Sequence, residues 1–444
     1  MIYKILKAAL LTVGSLLAFN VVAEITDTDI EYSFWPYKDG PPKVEGITVG
    51  MRIDASNAAS LEHAFDPGTY EFIKNGDYSI TVGRTMDFDM PDVFIELSKV
   101  NRNVGFDDKG LLTNYVNGRP FPHKPNANDP DAGTKLIWNF QYGRVWGDLG
   151  CMEPWYWDFK NMRTGKVERT IKYDRVCMKR SAYKSTDSPI PEDLPNPGQV
   201  YRKIYLKVAE PFDVKNTQVL IHKYKDDTKR LDGWLYLGFQ RRVRRMATGQ
   251  ITDAFLGSDI MIEDFEGYEG RVSDYTWEYQ GETTLLMPMW NHNETVKGYS
   301  DIQRSHKPAD DEHYDYINFV GKGGCFPDAP WMLRKLYIVK GSPKDPYHPL
   351  SQRIIYIDAQ TNEMPISLIY DRGGKYWKWW LIGWPHLDHH LAINKGKGAM
   401  IGDAVTMVDV QAQHCTTLSF YGKVDPSLAD NSLFTVQQLR ISGR

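Results

Sequence analysis

The densest group of metal-ligating side chains is His386-Leu387-Asp388-His389-His390, with His414 further along the chain. Imidazoles and a carboxylate suit a divalent cation, and alternate residues of a strand share one face. The same residues also read as a solvated loop following Trp384-Pro385. No H-E-x-x-H helix, G-x-S-x-G elbow or G-x-x-x-x-G-K-[ST] phosphate loop accompanies them. The expectation is therefore no catalytic residue, metal or cofactor, with His386, Asp388, His389 and His390 as a weak metal candidate.

The second chemical feature is Arg241-Arg242-Val243-Arg244-Arg245. In a strand Arg242 and Arg244 face one way, and such a run suits anionic headgroups or an acidic surface as well as a charged sheet edge. The third is four cysteines, an even number that suggests disulfides in an oxidising compartment. Three connectivities are possible; Cys151 with Cys177 closes a short loop, and Cys325 with Cys415 stays in the C-terminal half. That pairing is the expected one.

Export follows from the N-terminus. Lys4 and Lys7 precede an apolar run from Ala8 to Phe19, and Val21 and Ala23 fit a processing site ahead of Glu24. The run is shorter than the ~20 apolar residues of a spanning helix. Residues 1–23 are thus expected to be a signal peptide, and the product a periplasmic protein, soluble or peripherally bound to the outer membrane. Losing two lysines leaves 51 basic against 57 acidic residues, a net charge of −6, which argues against nucleic acid as a partner.

The elements that would position these groups are mostly strands. Tyr201 to Val208 alternates with period two, Thr217 to Tyr224 and Trp234 to Phe239 flank a polar turn, and Arg353 to Asp358, Ile366 to Asp371 and Tyr376 to Trp380 form a meander. Short helices are expected from Asp54 or Ser56 to a stop at Asp66-Pro67-Gly68, and from Asp89-Met90-Pro91 through Val100. Residues 117–139 read as a long surface connection. No βαβ alternation supports a nucleotide-binding fold.

Asp232-Gly233-Trp234-Leu235-Tyr236-Leu237, the arginine run with Arg242 and Arg244, Gly257-Ser258-Asp259-Ile260 and Glu263-Asp264-Phe265 carry a family resemblance. So do Asn117-Gly118-Arg119-Pro120-Phe121-Pro122, Lys135, Trp138-Asn139, Asp409, Gln411, His414, Phe434-Thr435 and Leu439-Arg440. Together they resemble the family catalogued as domain of unknown function 1329, over roughly residues 45–444. The resemblance implies a mainly β (α+β) fold, a strongly curved antiparallel sheet forming an incomplete LolA-like barrel with a few short helices. It implies one family-wide domain, 24–444, with 45–200 an N-terminal elaboration and 201–444 the curved-sheet core. It also implies a binding or carrier protein for lipid or another hydrophobic compound, working with an outer-membrane β-barrel protein and an inner-membrane exporter, and not an enzyme.

A curved sheet with an apolar inner face suits acyl chains, since each buried CH2 contributes about 0.8 kcal/mol. Trp234, Tyr236, Met287, Met289, Trp290, Tyr356, Tyr370, Trp377 and Trp379 are the residues expected around such a cavity. The rival readings are a metal-dependent hydrolase using His386 to His390 and an adaptor that holds no ligand.

Overall fold

The computed structural model describes residues 25–180, 195–246, 250–291 and 317–443. The expected signal peptide, 1–23, lies outside the described residues. Fifteen strands make one sheet: β1 (Arg52–Ile53), β2 (Ile80–Val82), β3 (Leu149–Asn161), β4 (Val167–Arg180), β5 (Val200–Glu210), β6 (Gln218–Tyr224), β7 (Asp232–Leu237), β8 (Arg242–Arg245), β9 (Tyr275–Met287), β10 (Pro330–Pro343), β11 (Leu350–Asp358), β12 (Ile366–Asp371), β13 (Tyr376–Leu381), β14 (Val405–Asp409) and β15 (His414–Val424).

Two meanders meet in the middle of this sheet. One runs β9 to β15 and the other β3 to β8, and they join where β15 pairs with β3, His414 opposite Asn161 and Val424 opposite Gly150. All pairings from β9 through to β8 are antiparallel; the short β2 adds to β10 in parallel. The sheet thus takes two of its longest strands from before residue 200, as well as those after it. The strands expected after Tyr201, the hairpin of β6 and β7 and the meander of β11 to β13 are all present.

The edges β8 and β9 are connected through residues 246–274, of which the described stretch 250–274 runs across one face of the sheet. In this segment Glu263 meets Arg353 of β11, and six residues later Glu269 meets Arg202 of β5. Six residues span at most about 20 Å, whereas seven strand spacings measure about 33 Å on a flat sheet. The sheet therefore curls around the segment, which packs on the inner face beside the helix Ala132–Gln141, whose Gln141 donates to the Tyr268 carbonyl and accepts from Lys223. It does not close, because β8 and β9 do not pair.

Among the elements that cover the outer face are two helices. Helix α1 (Pro67–Lys74) lays Phe72 against Trp379 of β13, and the C-terminal helix α2 (Val436–Ile441) covers Tyr205, Leu220 and Tyr236. Gly68 is required at the first contact, since a Cβ there would lie 2.6 Å from the Tyr376 hydroxyl and 2.7 Å from Leu368.

Two local expectations are corrected. Asp66-Pro67-Gly68 starts a helix instead of ending one: Asp66 caps it through the Gly68 and Thr69 amides, and Pro67 occupies the first turn, where its missing N–H costs nothing. The stretch before it, Ala58–Ser60 and Glu62–Ala64, is two 3₁₀ turns. Of the expected surface connection 117–139, residues 117–122 are buried, and 132–139 are most of a helix, Ala132–Gln141, with Leu136, Ile137, Trp138 and Phe140 buried. Apolar burial there outweighs the turn-forming residues that precede it. The second expected helix is present as Asp92–Lys99.

Both disulfides join the expected partners. Cys151 and Cys177 face each other across β3 and β4, and Cys325 is tied to Cys415 of β15. No helix among the described residues is long and apolar enough to cross a membrane.

Candidate functional site: the inner face and its crossing segment

Alternation along β3, β13 and β15 sends Trp155, Trp157, Trp380, Leu418 and Phe420 to the inner face. Trp155 and Trp157 stack edge to face on each other, 5.1 Å apart, and Trp157 meets Phe255 and Phe265 of the crossing segment. Between this wall and Ile260, Phe265 and Glu266 lies an apolar cavity of about 30 Å³. That is room for roughly one water molecule and not for an alkyl chain. In this closed arrangement the crossing segment occupies the space that an apolar ligand would take.

Polar bolts hold the segment in place, drawn from several strands and from Trp146. The Arg353 guanidinium donates to Glu263 Oε2 (2.8 Å) and Asp264 Oδ1 (3.3 Å), all three side chains being buried. Burial alone would push the Glu263 carboxyl up, but Arg353, His348 and Tyr275 together hold it below the usual range. Asp264 rises, because burial outweighs Arg353 and Lys378. Asp259 accepts from Thr416 Oγ1 (2.7 Å) and faces His414 Nδ1 at 2.8 Å, which raises the imidazole pKa. Lys378 of β13 reaches the Asp259 carbonyl, and Lys223 of β6 donates to the carbonyls of Glu269 and Gly270. Trp146 Nε1 donates to Glu266 Oε2 at 2.8 Å.

Leu256 and Glu266 hold positive φ, 52° and 53°, in this segment. A non-glycine residue there costs of order 1 kcal/mol and persists only where its surroundings over-determine it. Gly257, at φ +80°, meets no such cost, and Ser258 Oγ donates to the Phe255 carbonyl at 2.7 Å. Gly257, Ser258, Asp259, Glu263 and Asp264, singled out in the sequence, thus all belong to one crossing element.

The nine residues expected around a cavity lie elsewhere. Trp234 and Tyr236 pack on the outer face beneath α2, where the Tyr236 hydroxyl donates to the Gly443 carbonyl at 2.7 Å. Trp379 packs on Phe72 and Phe326. Tyr370 lies against Tyr376 with the rings tilted, and burial raises both hydroxyls and that of Tyr356 beside Asp66. Trp377 donates to Asp409 at 2.7 Å. Met287 pairs with Met332 across β9 and β10, and Met289 and Trp290 pair with Trp384 and Pro385. The residues that do line the inner wall could have been found in the alternation of Trp155 and Trp157.

The His386 and His389 rings lie 4.8 Å apart, but the cluster brings together no three groups at metal-ligand spacing among the described residues. His386 faces the Asp87 carbonyl at 3.0 Å, His390 lies 3.7 Å from Asp403, and the Asp388 carboxylate accepts from the Gly396 amide. Among the described residues the one grouping with metal-ligand spacing is Cys151, Glu153 and Cys177, whose sulfurs are spent in a disulfide. Arg242 and Arg244 stand exposed on the edge strand β8.

A separate carboxyl sits where the helix Ala132–Gln141 gives way to β3. Burial pushes Glu363 up to about 8, with Oε1 accepting from the Val145 amide at 3.1 Å. The folded protein therefore keeps this proton over a range in which the unfolded chain, near 4.5, releases it. Its contribution to stability is whole below pH 4.5 and is lost as pH rises through 8. Glu363→Gln should match wild type at pH 4.5 and exceed it at pH 8, by on the order of 2–4 kcal/mol in denaturant unfolding. A difference that does not change between those pH values would contradict the assignment.

Fold and site together define a curved, open antiparallel sheet closed from within by its own edge-to-edge connection. The chain belongs to the family described as Protein of unknown function (DUF1329), whose model matches residues 52–440. Solved structures similar to it include a domain from Vibrio parahaemolyticus named for outer membrane lipoprotein sorting, with 16% identity, TM-score 0.45, and coverage of 70% of this chain and 100% of that one. A DUF1329 family protein from Desulfovibrio piger has 17% identity and TM-score 0.45, with the same coverage. A LolA superfamily protein from Nitrosomonas europaea has 11% identity and TM-score 0.39, covering 69% of this chain and 98% of that one. No curated protein matches the sequence.

Proposed function

We propose that the protein is a periplasmic carrier of lipid or another hydrophobic compound, and that its ligand takes the place of the crossing segment against the inner wall. The observation that carries this reading is the pairing of an aromatic wall, Trp146, Trp155, Trp157, Trp380 and Phe420, with an element attached to it by side-chain contacts and joined to the sheet only at its ends. Apolar surface on that wall is available to an alkyl chain whenever Ile260 and Phe265 withdraw. Each CH2 then buried contributes about 0.8 kcal/mol, so a chain of a dozen carbons supplies roughly 9 kcal/mol toward displacing the segment. An outer-membrane β-barrel protein and an inner-membrane exporter are the partners proposed to pass the ligand on, as the family resemblance implies. In this reading the protein is not an enzyme and needs no cofactor.

Tryptophans in the wall provide the test. Monomeric doxyl-stearate, which quenches indole fluorescence at contact, should quench wild type saturably. Phe265→Ala, which enlarges the cavity without adding a charge, should bind the probe several-fold more tightly. If neither protein shows saturable quenching while circular dichroism reports both folded, the carrier reading fails and the adaptor reading replaces it.

A further inference from the structure

Two neighbouring turns at one end of the second meander each present an exposed phenylalanine. Phe212, in the turn between β5 and β6, is 92% exposed, and Phe239, between β7 and β8, is 73% exposed. The turns touch: a Cβ on Gly238 would lie 2.4 Å from the Lys215 carbonyl and 3.1 Å from Asn216. Exposing a phenylalanine at a turn tip forgoes its burial, and two on adjoining turns mark an interaction surface.

Behind the tips the surface is cationic. Arg241, Arg242 and Arg440 line an outer groove of about 620 Å³ with Tyr236 and Val243. Among the described residues no hydrogen bond or ion pair engages their guanidinium groups. Asp213, the one acid on the two turns, is taken up by Arg169 at 2.8 Å, and Glu210 at the end of β5 lies 3.6 Å from Lys172. A chain with a net charge of −4 thus gathers unpaired arginines beside two apolar tips.

We propose that this end docks on the surface of an anionic phospholipid bilayer, with Phe212 and Phe239 entering the headgroup boundary and Arg241, Arg242 and Arg440 meeting lipid phosphates. Protruding tips favour a deformable surface, because a folded partner would need a socket matched to each ring. Aromatic rings belong at the headgroup level, and arginine behind them matches the charge found there. The inference stands apart from the carrier reading, since it concerns the outer surface and not the interior.

Sedimentation with sucrose-loaded vesicles tests it. Wild type should sediment with phosphatidylethanolamine/phosphatidylglycerol vesicles, return to the supernatant as salt rises, and stay in the supernatant when the vesicles are phosphatidylcholine. Each arginine near the surface is worth about fivefold in affinity, so Arg241→Gln with Arg242→Gln should weaken binding about 25-fold. Phe212→Ser with Phe239→Ser should weaken it at least as much, while Val49→Ser, exposed elsewhere, should not. Wild type that ignores anionic vesicles overturns the proposal, and so do double variants that bind as wild type does. Loss of vesicle binding with doxyl-stearate quenching intact would separate this surface from the interior site.

Discussion

Arg353→Ala should lower stability by about 3–5 kcal/mol, because it leaves the Glu263 and Asp264 carboxylates buried with their counter-charge gone. The three side chains are at most 2% exposed, so water cannot replace the guanidinium. Burial works against the Arg353 charge, and Tyr275 with the two carboxylates more than restores it. The loss should concentrate in the crossing segment, whose amides from 255 to 270 should exchange with solvent faster than those of β3 and β15. Arg353→Met combined with Glu263→Gln and Asp264→Asn should recover most of the stability, since a neutral cluster has no stranded charge. Denaturant unfolding of the three proteins checks this, and a loss below about 1 kcal/mol for the single variant would mean the cluster is not what fastens the segment.

The second large effect is expected at the disulfides, and it should differ between them. Cys325→Ser with Cys415→Ser opens a crosslink spanning 90 residues, for which loop-closure entropy gives about 4–5 kcal/mol. Cys151→Ser with Cys177→Ser opens one spanning 26 residues, worth about 3.5 kcal/mol on the same basis. The smaller figure falls further because Cys151 and Cys177 are directly opposed in the β3–β4 hairpin, whose strand register other pairs already fix. The Cys325 bond has a different task, tying the region before β10 to the strand where the two meanders join. Unfolding midpoints of the two double variants should therefore rank with the 325–415 variant lower; the reverse order would show that the hairpin depends on its bond.

Much of the strand framework was legible because period-two alternation is a local signal. Ile204, Leu206 and Val208 face inward as their spacing requires, and β11 to β13 fold as successive strands around polar turns. That the cysteines pair was legible from their even number, whereas which of the three connectivities holds was decided by the fold. Helix ends were less so, since Asp66-Pro67-Gly68 contains both start and stop signals, and packing against Leu368 and Tyr376 decides which operates.

What the sequence determined by itself was therefore most of the strands and the turns between them, the even set of cysteines and the signature residues. What only the tertiary structure decided was the sidedness of the sheet and the place of those signature residues within it. Alternation shows that Trp377 and Trp379 oppose Lys378 and Trp380, but it carries no sign when both faces are buried. Here the tryptophan of the more polar pair, Trp380, faces inward beside Phe265, while Trp379 lies beneath α1. Pairing of β15 with β3 and the charge cluster of Arg353 with Glu263 and Asp264 join residues about 90 to 260 positions apart. No local pattern encodes such contacts; they exist because the curled sheet brings distant strands around the crossing segment, whose buried charges are stable only where opposite charges from those strands meet them.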